Sequence, residues 1–280
     1  MESIKIIIVL YFLLKVTYSI EIFMGSKNSN IKKLSQLYIP KGSNQIRYNE
    51  MLQEKESPLL IVLGPAGTGK TLFACMNAII SLKKGEIEKI VITRPLVSVE
   101  NEDIGYLPGN MIIKMDPWTR PIIDIFNEFY SLSDIQNLIK NGVIEICPLA
   151  YMRGRTFHRT YLLADEMQNS SPNQMKMLTT RIGNDSKFVI MGDIAQSDLN
   201  IKDGLYDFVE RYEKKKVKEI KKRICIIKME IRDIQRSKVV SDVLEIYKED
   251  EKDKEEKMKE RKKEIDNIQK LRLWGREYPF

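Results

Sequence analysis

Histidine is almost missing from this chain: His158 is the only one in 280 residues. A histidine-based catalytic triad is therefore not expected, and most histidine-ligated metal centres are disfavoured. Cysteine is scarce too, and Cys75, Cys147 and Cys225 lie far apart with no paired spacing. That pattern argues against a disulfide framework and against a zinc site, and leaves reduced, partly buried thiols as the plain reading. No internal repeat is visible, so solenoid and propeller architectures drop out. Long apolar runs are absent as well. The apolar run Ile6–Leu14 is stopped by Lys15, too short for a stable membrane span. Charge of one sign does not dominate either: the formal net charge is +7, spread through mixed-sign runs, which permits a nucleic-acid partner without requiring one.

Two ends of the chain stand apart. Lys5 precedes the Ile6–Leu14 run, and Thr17-Tyr18-Ser19 offers small residues at a cleavage-like spacing. Between Ile22 and Asn49 there is no Asp or Glu, while Ser, Asn and Lys are frequent. Residues 1–36 therefore read as a leader or targeting segment, which would send the protein to an organelle of plastid type. The alternatives are an untidy leader or strand, with translation beginning at Met24, in a cytoplasmic protein. At the other end, Lys248–Glu264 is charged at every position except Met258, eight basic against eight acidic. Residues 248–280 are expected as a charged helical or disordered tail, followed by a stripe at Ile265, Ile268 and Leu271 that could pack on the domain or on a neighbouring subunit.

Between the ends, with a hydrophobic content of 43%, there is enough apolar material for one sizeable core over residues 37–247. Short apolar runs alternate with helix-like segments: Leu59–Leu63, Lys89–Thr93, Val143–Cys147, Thr160–Ala164 and Lys187–Met191, with a further strand at Cys225–Met229 after a charged insertion at Glu213–Arg223. Runs apolar on both faces belong in a parallel sheet covered by helices. The expected fold class is α/β, a doubly wound and mainly parallel sheet.

The chemistry sits at strand ends. Gly64-Pro65-Ala66-Gly67-Thr68-Gly69-Lys70-Thr71 follows an apolar strand and opens a helix expected over Lys70 to about Lys84. This is the phosphate-binding loop pattern: its glycines let backbone N–H groups turn inward on the phosphates of ATP. Lys70 would reach the β- and γ-phosphates, and the Thr71 hydroxyl would hold Mg²⁺. Tyr161-Leu-Leu-Ala-Asp165-Glu166 supplies acids at the end of another strand. Asp165 would complete the Mg²⁺ shell and Glu166 would polarise the attacking water. Gly192-Asp193-Ile-Ala-Gln196 ends a third strand; Gln196 is placed to sense the γ-phosphate or orient water, unless the segment is simply a turn capped by Asp193.

Further blocks occur in a fixed order. They are Thr93-Arg-Pro95, Gly105-Tyr-Leu-Pro-Gly109, Lys114-Met-Asp-Pro-Trp118 and Arg120-Pro121, then Pro148-Leu-Ala-Tyr-Met-Arg-Gly-Arg-Thr156. After these come Asp165-Glu-Met-Gln-Asn169, Pro172-Asn-Gln-Met-Lys-Met177 and Thr180-Arg-Ile-Gly183. Together they resemble the PhoH-like protein family, from about Asn44 to Tyr247. Thr179 and Ala164 depart from the family's pattern by size and polarity, away from the phosphate machinery.

That family is similar to the first ATPase domain of superfamily 1 helicases, so the resemblance implies a sheet of the RecA-like P-loop NTPase type, and further roles with it. Gln45, after Asn44, matches the glutamine that reads the adenine edge and selects ATP over GTP. Arg236, in Asp233-Ile-Gln-Arg236, matches a late arginine that neutralises charge on the γ-phosphoryl, in cis or across a subunit contact; an exposed solvated arginine is the alternative. The stretch before Asn44 is too short for the nuclease-like domain that some relatives carry, so none is expected. Coupling to RNA or single-stranded nucleic acid is implied, through Arg94, Arg153, Arg155 and the run Lys214–Arg223, with Tyr151 and Phe157 as stacking platforms. Arg153 and Arg155 could instead hold the loop or complete a neighbour's ATP site. A lone domain of this kind is expected to act as a homo-oligomer. The alternative is an ATP-dependent switch or assembly module acting on protein partners; a small-molecule kinase shares the loop but not the Asp165–Asn169 block.

Overall fold

The structure, a computed structural model, describes residues 38–95, 111–196, 203–215, 218–234 and Val239. The expected leader, the Gly105–Gly109 block, Arg236 and the charged tail lie outside the described residues. The chain divides into two units, Met1–Asp233 and Ile234–Phe280. The account below concerns the first.

Among the described residues, six strands form one parallel sheet: β1 (Leu59–Leu63), β2 (Lys89–Thr93), β3 (Ile144–Ile146), β4 (Thr160–Ala164), β5 (Lys187–Gly192) and β6 (Ile224–Lys228), in spatial order β3-β2-β4-β5-β1-β6. Every pairing is parallel. The helix α1 (Ser43–Gln53) precedes β1, and the crossovers that parallel strands need carry α2 (Lys70–Lys84), α3 (Met111–Asn127), α4 (Leu132–Lys140), α5 (Pro172–Thr179), α6 (Gly204–Lys214) and α7 (Lys218–Arg223).

Parity along the strands explains the two layers. Leu60, Val62, Ile90, Ile92, Leu163 and Val189 pack into one core with α1, α2, α3 and α4; Leu59, Ile61, Val91, Leu162, Phe188 and Ile190 pack into another with α5 and α6. Successive side chains point to opposite faces, so a strand covered on both sides must be apolar at every position. Each fully buried Leu, Ile or Val contributes roughly 1.5–3 kcal/mol, and all five residues of β1 and of β4 are buried. The fold is thus the expected α/β, RecA-like arrangement.

Local signals fix the helix ends. Ser131 and Asp134 form a reciprocal capping box at α4, and Ser171 and Gln174 do the same at α5, where Pro172 occupies the first turn. The segment expected as a charged insertion is largely helical: Glu213 and Lys214 finish α6, and Lys218–Arg223 form α7. Lys187, buried at the start of β5, donates to the carbonyls of Met51 (2.7 Å), Glu54 (2.8 Å) and Ser57 (2.7 Å). The ammonium thereby holds the C-terminal end of α1, while burial pushes its pKa down to about 8. No helix among the described residues is long and apolar enough to cross a membrane.

Candidate functional site

The C-terminal ends of β1, β4 and β5 meet at one edge of the sheet, where parallel α/β folds form their binding crevices. The strand carrying the acids, β4, is separated from the loop strand β1 by β5. The segment after each strand therefore converges on the same place.

The loop after β1 turns through residues in the left-handed region. Gly64 has φ +143°, and a Cβ there would lie 2.6 Å from the Met229 carbonyl oxygen. Gly69 has φ +89°, and a Cβ would meet the Phe73 ring at 2.8 Å. Any side chain at these positions would strain the backbone and force the neighbours apart. The loop is braced internally, because Thr68 is buried and its hydroxyl donates to the Pro65 carbonyl at 2.8 Å.

Lys70 opens α2, and its ammonium donates to the carbonyls of Gly64 and, at 2.9 Å, Pro65. It thus lies over the loop beside the helix N-terminus. Burial lowers its pKa, while the charges of Asp193, Asp165 and Glu166 act in the opposite direction. Three carboxylates are therefore within electrostatic range of one lysine. Thr71 follows, and its hydroxyl donates to Asp165 Oδ2 at 3.1 Å. Desolvation raises the Asp165 pKa, reinforced by neighbouring Glu166 and opposed by the Thr71 bond.

Thr71 and Asp165 present a hydroxyl and a half-buried carboxylate side by side, two hard oxygen donors. Among the described residues there is no group of three His, Cys, Asp or Glu that could hold a metal ion. The donor set suits Mg²⁺, which takes one or two protein oxygens and completes its shell with phosphates and water.

Glu166 adopts φ +53°, ψ +37°, a left-handed conformation rare for a residue with a Cβ. The turn throws its carboxylate toward the ends of β2 and β5. Oε1 lies 3.8 Å from the Arg94 guanidinium, and Oε2 accepts from Gln168 Nε2 at 2.7 Å. Gln168 is buried, and its Oε1 accepts from the Asp193 backbone N–H at 3.1 Å. A cleft of about 370 Å³ opens beside Gly64, Asp193, Tyr206 and Met229. Gln196 ends the short 3-10 turn Ile194–Gln196 that follows β5, with its side chain exposed.

Gln45 lies against the loop from the other side. It is buried, and its Nε2 donates to the carbonyls of Thr68 (3.0 Å) and Asp233 (2.9 Å), while Oε1 accepts from the Lys41 N–H at 3.0 Å. The adenine-reading role expected for it requires one of these backbone bonds to be exchanged for the base. Neighbouring Asn44 donates to Asp233 Oδ2 at 2.8 Å, and Tyr48 donates to the Lys70 carbonyl at 2.8 Å. The N-terminal half of α1 thus braces the loop and the first turn of α2.

Several sequence expectations are redistributed. Phe157 cannot serve as a stacking platform: it is 4% exposed and packs edge-on against Phe188. Arg155 is engaged within the fold, bidentate to Glu145 at 2.6 and 3.0 Å and stacked over Phe157, so it holds its loop. Tyr151, by contrast, is 62% exposed, and Arg153 is exposed beside it. Gln168 and the Arg94–Glu166 pair were given no such role by the sequence. Gln168 does stand inside the Asp165–Asn169 block, but only the left-handed turn at Glu166 brings it back onto the acid.

Comparisons with known proteins agree with this arrangement. Residues 38–248 match the family described as PhoH-like protein. A PhoH-like protein of Bacillus subtilis is 42% identical over 195 residues, covering 69% of this chain and 59% of that protein. A PhoH-like protein of Mycobacterium tuberculosis is 35% identical over 243 residues, covering 83% of this chain and 66% of that one. Protein PhoH of Escherichia coli is 37% identical over 173 residues, covering 60% and 48% respectively. The chain spans between about half and two thirds of the length of these relatives.

Proposed function

The chain belongs to the PhoH-like protein family, whose members are generally P-loop ATPases, and from that premise we propose that it binds ATP with Mg²⁺ and hydrolyses it, with turnover coupled to RNA or single-stranded nucleic acid. One observation carries the ATPase reading. A glycine loop with a lysine at the first turn of α2 faces a hydroxyl–carboxylate pair, Thr71 and Asp165, at 3.1 Å.

In this reading the loop N–H groups and the α2 N-terminus hold the triphosphate, and Lys70 turns from the loop carbonyls to the β- and γ-phosphates. Thr71 and Asp165 hold Mg²⁺, which when bound neutralises charge on the β- and γ-phosphate oxygens. Glu166 accepts the proton of the attacking water, Gln196 orients that water or senses the γ-phosphate, and Gln45 selects adenine. Arg236 supplies a further positive charge, in cis or from a second copy in a homo-oligomer.

The nucleic-acid half of the reading rests on a different set of residues. Tyr151 and Arg153 project where the chain leaves β3, offering a π-face and a cation of the kind that engages unpaired bases and phosphates. Arg94, at the end of the neighbouring strand β2, lies 3.8 Å from Glu166. A phosphate drawn to Arg94 would change the electrostatic surroundings of the base, a physical route from strand binding to turnover. The test is ATP hydrolysis by the full chain with and without single-stranded RNA, repeated with Tyr151→Ala. Stimulation that Tyr151→Ala weakens is the expected result. Turnover indifferent to RNA would remove the coupling and favour an ATP-dependent switch acting on protein partners.

A further inference from the structure

Glu166 is held by more than its own backbone. An amide has one accepting end and one donating end, and both ends of Gln168 are fixed by their partners. The Asp193 N–H can only donate, so it sets Gln168 Oε1 toward β5. The donor end must then face Glu166, where Nε2 meets Oε2 at 2.7 Å. The contact is also sterically tight: a Cβ on Gly192 would come within 2.6 Å of Gln168 Oε1. Gly192 therefore leaves room for the amide between the ends of β4 and β5.

We propose that Gln168 is a positioning residue for hydrolysis: it occupies Oε2 of Glu166, leaves Oε1 as the proton-accepting atom, and ties that carboxylate to the segment carrying Asp193 and Gln196. The inference rests on the ATPase reading given above. In the reaction, the γ-phosphorus gains a bond from the water oxygen and loses its bond to the β–γ bridging oxygen, which leaves with the electron pair as ADP. The water's proton passes to Glu166. The amide N–H fills a lone pair of Oε2, so Oε1 is the oxygen left to face the water. It also fixes the direction in which Oε1 points, toward the side where Arg94 lies. Asp193, whose N–H anchors the other end, bears on Lys70 electrostatically. A movement of the β5 segment on meeting the γ-phosphate would therefore be passed through one amide to the base.

Two variants separate this from a packing role. Gln168→Glu keeps the shape but places a second carboxyl against Glu166. Gln168→Met keeps the volume and removes both hydrogen bonds. The kcat for ATP hydrolysis and the KM for ATP should be measured for wild type, both variants and Glu166→Gln. At neutral pH kcat should fall roughly 10-fold in both Gln168 variants with KM changed little, the signature of an interaction used in the chemical step. A kcat unchanged in both folded variants, or a loss carried by KM instead, would overturn the positioning role and leave Gln168 as packing. Wild type without ATP turnover, or Glu166→Gln as fast as wild type, would instead overturn the ATPase reading beneath it, independently of Gln168.

Discussion

Replacing Glu166 by glutamine separates binding from chemistry at this site. The substitution is nearly isosteric. The new amide oxygen can still accept from Gln168 Nε2, so the 2.7 Å contact survives and the left-handed turn at Glu166 is not disturbed. What disappears is the negative charge facing Arg94 at 3.8 Å, between side chains that are 30% and 37% exposed. A pair so open to solvent is worth about 0–1 kcal/mol, so folding should change little. Lys70, Thr71 and Asp165 are untouched, so ATP and Mg²⁺ should still bind. The carboxylate that takes the water's proton is gone, and general-base catalysis typically contributes 10²–10⁴-fold, so kcat should fall by at least ~100-fold, about 2.7 kcal/mol of barrier. The assay is phosphate release at saturating ATP beside a direct titration with a fluorescent ATP analogue. A collapse of ATP affinity, or a kcat within a few-fold of wild type, would refute the role given to Glu166.

Other outcomes follow from the same geometry. Gln45→Ala removes two bonds from α1 to the loop and to Asp233, and a third accepted from Lys41; it should flatten the preference for ATP over GTP and lower stability by roughly 1–3 kcal/mol, and unchanged selectivity in competition binding would remove Gln45 from adenine recognition. Lys187→Met strips the donor from three carbonyls at the end of α1 and should lower the chemical-denaturation midpoint. The folded Lys187 pKa, about 8, lies below its ordinary 10.5. The unfolded chain therefore binds more protons between those values, and wild-type stability should gain on Lys187→Met as pH rises from 8 toward 10.5. A gap that stays constant or narrows across that range would contradict the buried-ammonium assignment.

The sheet was legible because burial on both faces leaves no polar position to hide the strands. Leu59–Leu63, Lys89–Thr93 and Thr160–Ala164 begin and end where their apolar runs do. β3 is shorter than its apolar run, Ile144–Ile146, as expected of an edge strand paired on one side only. α1 was not legible as a helix, since its buried residues are only Gln45, Tyr48 and Leu52, and one of those is polar. The loop and its lysine could be read directly, because the phosphate chemistry demands a contiguous pattern. The role of Gln168 could not, since it depends on a positive φ at Glu166 and on the absence of a side chain at Gly192, neither of which has a local sequence period. Phe157 shows the opposite failure: an aromatic between arginines in a loop reads as an exposed platform until packing against Phe188 is seen.

The central claim is that the loop at Gly64–Thr71 works on ATP, and the most direct measurement is phosphate release by the full chain in Mg²⁺, wild type beside Lys70→Ala. Lys70 is the only cation within the loop, and no neighbouring loop residue can supply its charge to the β- and γ-phosphates. The account predicts steady turnover by wild type and its loss in a folded Lys70→Ala variant. Turnover retained in that variant would contradict it.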